Sequence, residues 1–93
     1  MREADIEKAA CQWAKENGWI TYKFTSPNYR SVPDRIFIKA GTAVFVEFKR
    51  PGGALTSGQE REIRKLQLAG MLVQVVWSVE AAIEFLERHD AEA

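Results

Sequence analysis

The sequence of 93 residues contains a single cysteine and a single histidine. A lone cysteine, Cys11, rules out a disulfide within the chain and fits a reducing compartment. One thiol and one imidazole are also too few soft ligands for a structural zinc site. If the protein holds a metal, carboxylates must supply the ligands, and oxygen ligands favour a hard cation such as Mg²⁺ or Mn²⁺.

The chain also has no long apolar run and no net charge. No stretch approaches the roughly 20 apolar residues of a membrane-spanning helix, and residues 1–5 lack the apolar core of a signal peptide. We therefore expect no membrane partner. Zero net charge argues against simple electrostatic binding to nucleic acid, but the charge is unevenly distributed. Residues 21–53 carry Lys23, Arg30, Arg35, Lys39, Lys49 and Arg50 against only Asp34 and Glu47. This basic segment either attracts phosphate or is ordinary surface charge.

Hydrophobic periodicity and turn residues predict the order α-β-β-β-α-β-α in one domain, residues 1–93. The first helix, 3–17, has an apolar stripe and ends at Gly18. Strands follow at 19–24, 34–39 and 42–49, the last two joined by a tight turn at Ala40-Gly41. A helix begins at Thr56 or Ser57 and runs to about Ala69, a strand spans 71–77, and a helix capped by Ser78 spans 79–88.

The last strand–helix–strand unit should be a right-handed crossover, which makes the final strand parallel to the third. The fold class is therefore α/β, with a mixed sheet flanked by helices. The nearly continuous apolar run 71–77 is typical of a strand covered on both faces. We expect Trp13 and Trp77 in the core and Trp19 partly exposed.

Two acidic side chains face each other in the predicted hairpin. A turn at Ala40-Gly41 sets Asp34 directly opposite Glu47, with Cβ atoms roughly 4.5–5.5 Å apart. Lys49 lies on the same face, because side chains alternate along a strand. Two carboxylates this close repel each other unless a cation intervenes, and paired carboxylates are a usual magnesium arrangement. The alternative is a solvated strand face with an Asp-Glu-Lys salt-bridge group, and at this point both interpretations remain open.

These residues resemble a known motif. Pro33-Asp34, a spacer, and Glu47-Phe48-Lys49 are similar to the PD-(D/E)XK nuclease motif. The longer string, residues 31–38 with residues 46–49 and Gln59, resembles the VRR-NUC (virus-type replication-repair nuclease) family in its stand-alone form. Ser31 departs from the small residue, often glycine, that the family carries there.

The resemblance implies a restriction-endonuclease-like core and a set of site residues. Asp34, Glu47 and the Phe48 backbone carbonyl would ligate Mg²⁺, and Glu7 would bind the metal or a metal-bound water, with Mn²⁺ as a substitute and no small-molecule cofactor. Lys49 would orient or deprotonate the attacking water and stabilise the negative charge of the transition state. Gln59 would position the lysine or the scissile phosphate, although Thr56-x-x-Gln59 is also the signature of a capping box. Glu7 is otherwise a helix-surface acid. Tyr29, Arg30, Lys23 and Arg50 are phosphate contacts or solvated side chains.

The same resemblance implies a magnesium-dependent, structure-selective DNA endonuclease in the cytoplasm of a bacterial or phage-infected cell. Branched DNA is the expected partner. Resolution of four-way (Holliday) junctions needs two symmetric cuts, which predicts a homodimer. The alternatives are a flap-type nuclease, a non-catalytic module that binds branched DNA, and a structural subunit.

Overall fold

The computed structural model describes residues 1–92, and its elements follow the predicted order. The helices are α1 (Glu3–Glu16), α2 (Ser57–Leu68) and α3 (Val79–Arg88), and the strands are β1 (Ile20–Lys23), β2 (Arg35–Lys39), β3 (Thr42–Phe48) and β4 (Leu72–Val76). Each predicted boundary lies within about one residue of the observed one, closer than helix ends are usually defined. None of the helices in the described part of the chain combines the length and apolarity needed to cross a bilayer.

The four strands form one mixed sheet in the order β1-β2-β3-β4. The β2–β3 hairpin turns on Ala40 and Gly41, whose φ angles are both positive, at 49° and 80°. A two-residue turn of this kind matches the twist of the flanking strands and fixes their register. Arg35 consequently faces Val46, as the turn position predicts. The crossover through α2 makes β4 parallel to β3, which confirms the predicted fold class.

Helices cover the sheet on both faces. Side chains alternate along β3, so Val44, Val46 and Phe48 point toward α1 and α3 and join the larger core cluster. Phe45 points to the other face and packs with Ile63 of α2 and Val73 of β4. Glu47 shares the face of Phe45. The acidic pair therefore lies on the side of the sheet that α2 only partly covers.

Two expectations about burial are wrong. The strand predicted to be covered on both faces is β4, which is an edge strand with Leu72 and Gln74 exposed. The apolar sequence of β4 does not show that this strand is the last in the sheet. The expectations for Trp19 and Trp77 are also reversed, since Trp19 is 3% exposed and Trp77 is 43% exposed, whereas Trp13 packs against the core cluster. The backbone N–H of Trp19 donates to the Ala14 carbonyl of α1 at 2.9 Å, whereas Trp77 follows the edge strand.

Candidate active site

Three carboxylates meet where β3 ends. Glu3, Asp34 and Glu47 each offer an oxygen, and these oxygens lie within 4.8 Å of one another. Asp34 immediately precedes β2 and Glu47 is the second-last residue of β3, so the hairpin register brings them together. Glu3 comes from the first turn of α1. A group of three carboxylate oxygens is the donor set that Mg²⁺ and Mn²⁺ favour.

Glu47 is buried and Asp34 is partly buried, so both carboxylates are poorly solvated. Burial, followed by the negative charge of Asp34, raises the pKa of Glu47 to about 7, although Lys49 opposes the shift. Burial also raises the pKa of Asp34, against the hydrogen bond that its Oδ2 accepts from the Phe48 N–H at 2.8 Å. A divalent cation would supply a counter-charge. The residues present therefore fit a hard metal ion.

Lys49 lies next to this pair. Its Nζ is 3.6 Å from Glu47 Oε2, and the residue is only 8% exposed. Its backbone N–H donates to the Val76 carbonyl at 2.9 Å, which extends the β3–β4 pairing by one residue and fixes the direction of the side chain. A lysine held in a poorly solvated site is a strong local positive charge, available to an anionic substrate.

Gln59 forms the predicted capping box, and its side chain also contacts Glu47 of the acidic pair. Its backbone N–H donates to Thr56 Oγ1 at 3.1 Å and its Oε1 accepts from the Thr56 N–H at 2.9 Å, forming the capping box of α2. Its Nε2 meanwhile donates to Glu47 Oε2 at 3.1 Å. The first turn of α2 is thus attached to the acidic pair, and Gln59 limits the freedom of the Glu47 carboxylate.

Glu7 is not part of the carboxylate group. Its Oε2 accepts from Arg35 Nε at 2.7 Å and lies 3.6 Å from Lys23 Nζ. Glu3, one turn earlier on the same helix, reaches Asp34 and Glu47 instead. Sequence reasoning overlooked Glu3, although both acids lie at the edge of the same apolar stripe. The predicted role of Glu7 toward a metal-bound water stays a prediction.

The remaining predicted residues lie around the carboxylates. The Phe48 side chain is fully buried, and its carbonyl as a metal ligand stays a prediction. Lys23, Tyr29 and Arg30 line a groove that Asp34 also borders. Arg50 is exposed just after β3. Phosphate binding by these four residues stays a prediction.

Glu3 and Glu7 provide a matched pair for a metal-binding prediction. We expect Glu3→Gln to weaken Mn²⁺ or Mg²⁺ binding at least about tenfold, the scale seen when groups around a metal are removed. Glu7→Gln should leave metal affinity near that of the unmodified protein, because its carboxylate is engaged by Arg35. Isothermal titration calorimetry of both variants measures this. An equal loss of affinity in the two variants would contradict the assignment of Glu3.

Two comparisons with known proteins find proteins similar to this chain, and no family model matches it. The chain is 42% identical over 77 residues to "Putative nuclease p44" of Acyrthosiphon pisum secondary endosymbiont phage 1, covering 82% of this chain and 83% of that protein. It is also similar to a solved structure described as "VRR_NUC domain", with a TM-score of 0.83 and 24% identity. That superposition covers 94% of this chain and 96% of the other.

Proposed function

Since this chain belongs to the family of the phage "Putative nuclease p44" and has the fold of a VRR_NUC domain, we propose that it is a nuclease. The reaction is the metal-dependent hydrolysis of phosphodiester bonds in DNA, and the predicted family resemblance agrees with both comparisons. The observation that carries the proposal is the group of Glu3, Asp34 and Glu47 oxygens within 4.8 Å, with Lys49 beside it. A salt-bridge group alone does not explain it, because Lys49 pairs only with Glu47 and, within residues 1–92, Glu3 and Asp34 form no ion pair.

Asp34, Glu47 and Glu3 are the side chains that would hold a divalent ion, with the Phe48 carbonyl as a further ligand. When bound, such an ion supplies Lewis-acid activation of the phosphate and of the attacking water. Gln59 keeps the Glu47 carboxylate directed toward the group through its hydrogen bond. Arg35 engages the Glu7 carboxylate through a hydrogen bond, and Glu7 is not part of the group.

Lys49 acts on the substrate rather than on the metal ligands alone. Its ammonium group donates to the phosphate oxygens that gain negative charge during attack, and it orients the water nucleophile. Because the site is poorly solvated, this charge interaction is stronger than it would be in bulk water. The ammonium is already beside Glu47 before substrate binds, so little reorganisation is needed.

A cleavage panel tests the proposed function. Four-way junction, flap, splayed-arm and fully paired duplex DNA are incubated with the protein in Mg²⁺, in Mn²⁺ and in chelator. We expect cleavage with either metal and none in chelator. If no DNA in the panel is cut under any condition but branched DNA is still bound, the protein is a non-catalytic binding module. If it neither cuts nor binds DNA, a structural role is left.

Within this function we propose that the preferred substrate is a four-way junction and that the protein acts as a homodimer in the cytoplasm of a bacterial or phage-infected cell. Two symmetric cuts require two sites, and each subunit supplies one. Exposed apolar side chains support a partner surface. Leu68, Met71 and Leu72 lie within five residues at the turn between α2 and β4, and Leu68 is 81% exposed. Apolar groups clustered on a surface are typical of an interface.

Light scattering at micromolar concentration measures the subunit state. We expect the mass of a dimer, and we expect Leu68→Glu to shift it toward the monomer, because a charged group at the interface would have to be desolvated. Lys15→Glu, an exposed charge change on α1, serves as the control and should leave the mass unchanged. A monomeric wild-type protein that still makes paired cuts in a junction would refute the dimer.

A further inference from the structure

A groove of about 300 Å³ lies directly beside the carboxylates and has its own chemistry. Its walls include Asp34 from the acidic group and two aromatic residues, Phe24 and Tyr29. Lys23 and Arg30 supply positive charge. The groove therefore combines aromatic rings, on which a base can stack, with cations, which can bind phosphate, and Asp34 lies in its wall.

Tyr29 is exposed yet held in place. The residue is 52% exposed on the loop between β1 and β2. Lys65 of α2 places its Nζ 4.3 Å from the centre of the ring, and Lys65 is itself paired with Glu62 at 3.2 Å. A cation over an aromatic face is attracted to it and restrains the ring. A restrained, solvent-accessible ring is what a base needs in order to stack at low entropic cost.

The second ring forms the inner wall. Phe24 packs on Phe45 with ring centroids 5.3 Å apart, so it is anchored to the core beneath the sheet. Its backbone N–H donates to the Asp34 carbonyl at 2.9 Å. That hydrogen bond ties the inner wall to the acidic group, so the distance between groove and carboxylates is fixed by strand pairing.

The cations are free to meet phosphates. Arg30 forms no ion pair within the described residues 1–92, and the Lys23 side chain is 66% exposed despite its 3.6 Å approach to Glu7. Both residues flank the aromatic walls in sequence and line the same groove. Phosphate groups on either side of a bound base can therefore be neutralised without breaking a strong existing pair.

We propose that this groove binds the nucleotide next to the scissile phosphate with its base unpaired and stacked on Tyr29. The inference rests on the proposed nuclease function and gives it a structural basis for selectivity. A base in a paired duplex must first be unpaired and unstacked, whereas a base on the single-stranded arm of a splayed substrate is already accessible. Tyr29 is thus a specificity-determining residue, and the ligand is a single-stranded or displaced nucleotide.

The test compares kcat/KM for a splayed arm with an unpaired base at the cut against the fully paired duplex. Stacking on an aromatic side chain is worth about 1–3 kcal/mol per base, so Tyr29→Ala should lower the branched-to-duplex ratio by about tenfold. Tyr29→Leu keeps apolar bulk without the ring and should behave like the alanine variant. Tyr29→Phe keeps the ring and should retain the ratio. Tyr22→Ala, at the only other tyrosine and 61% exposed on β1, is the matched control.

An unchanged ratio in Tyr29→Ala with cleavage intact would overturn the inference while leaving the nuclease function in place. A loss of equal size in Tyr22→Ala, or in Tyr29→Phe, would overturn it as well, because the effect would then not be due to the ring of Tyr29. Failure of the unmodified protein to cut any DNA with Mg²⁺ or Mn²⁺ would instead remove the proposed function on which the inference rests.

Discussion

Replacing Lys49 with alanine is expected to lower the rate of DNA cleavage at least about 100-fold while the protein stays folded. Removing one preorganised donor from a transition-state site typically costs this much. The ammonium is the group closest to Glu47 that carries positive charge, at 3.6 Å, and it is almost fully shielded from water. In the alanine variant, neither water nor another cationic side chain can replace the Lys49 ammonium without entering the buried site.

Two further variants distinguish a loss of catalysis from a loss of folding. Lys49→Met keeps the aliphatic length of the side chain and should be as inactive as the alanine variant. Lys15→Ala removes an exposed lysine on α1 and should cleave at the unmodified rate. Steady-state cleavage of the preferred branched DNA, with thermal unfolding measured alongside, gives both readouts. A fully active, folded Lys49→Ala protein would refute the assigned role.

Replacing Glu47 with glutamine is expected to abolish cleavage and, at pH 8 without metal, to make the protein more stable. The pKa of Glu47 is about 7 in the folded protein, against an ordinary value of 4.5. Above pH 7 the folded state must therefore carry a buried negative charge next to Asp34. That ionisation is about 3 kcal/mol less favourable than in the unfolded chain, since one pKa unit corresponds to about 1.4 kcal/mol.

The sign of the pH dependence follows from the raised pKa. Below pH 4.5 Glu47 is protonated in both states, and its contribution to stability is fully present. Between pH 4.5 and about 7 the folded state keeps the proton and the unfolded state releases it, so the free energy of unfolding falls as pH rises. Glutamine cannot ionise, so the difference between variant and unmodified protein should grow through this window and level off above it.

Ionisation of Glu47 lowers the free energy of unfolding, and a bound metal ion should raise it. A divalent cation neutralises the acidic group, so Mg²⁺ or Mn²⁺ should raise the free energy of unfolding of the unmodified protein at pH 8 and have little effect on Glu47→Gln. Because binding requires the ionised carboxylate, metal affinity should weaken as pH falls below about 7. Urea unfolding at pH 5 and pH 8, with and without metal, measures both effects. Glu60→Gln, an exposed acid on α2, is the control.

The acidic pair itself was predictable because its geometry is local. A two-residue turn fixes every cross-strand pair in a hairpin, and Gly41 with the small Ala40 marks that turn in the sequence. The position of Asp34 beside Glu47 follows from the turn alone. The cap of α2 is local in the same sense, because Thr56 and Gln59 are only three residues apart. That the cap residue also reaches Glu47 is a tertiary contact.

The sequence by itself determined the element order, the hairpin register and the pairing of Asp34, Glu47 and Lys49, because these depend on periodicity and turns spanning a few residues. Only the tertiary structure decided that Glu3, rather than Glu7, completes the carboxylate group. Both lie on α1, and the choice depends on how Ile6 and Ala10 seat that helix on the sheet. The contact of Tyr29 with Lys65 and the exposed edge of β4 were decided in the same way, since no local pattern encodes which distant element packs against a residue.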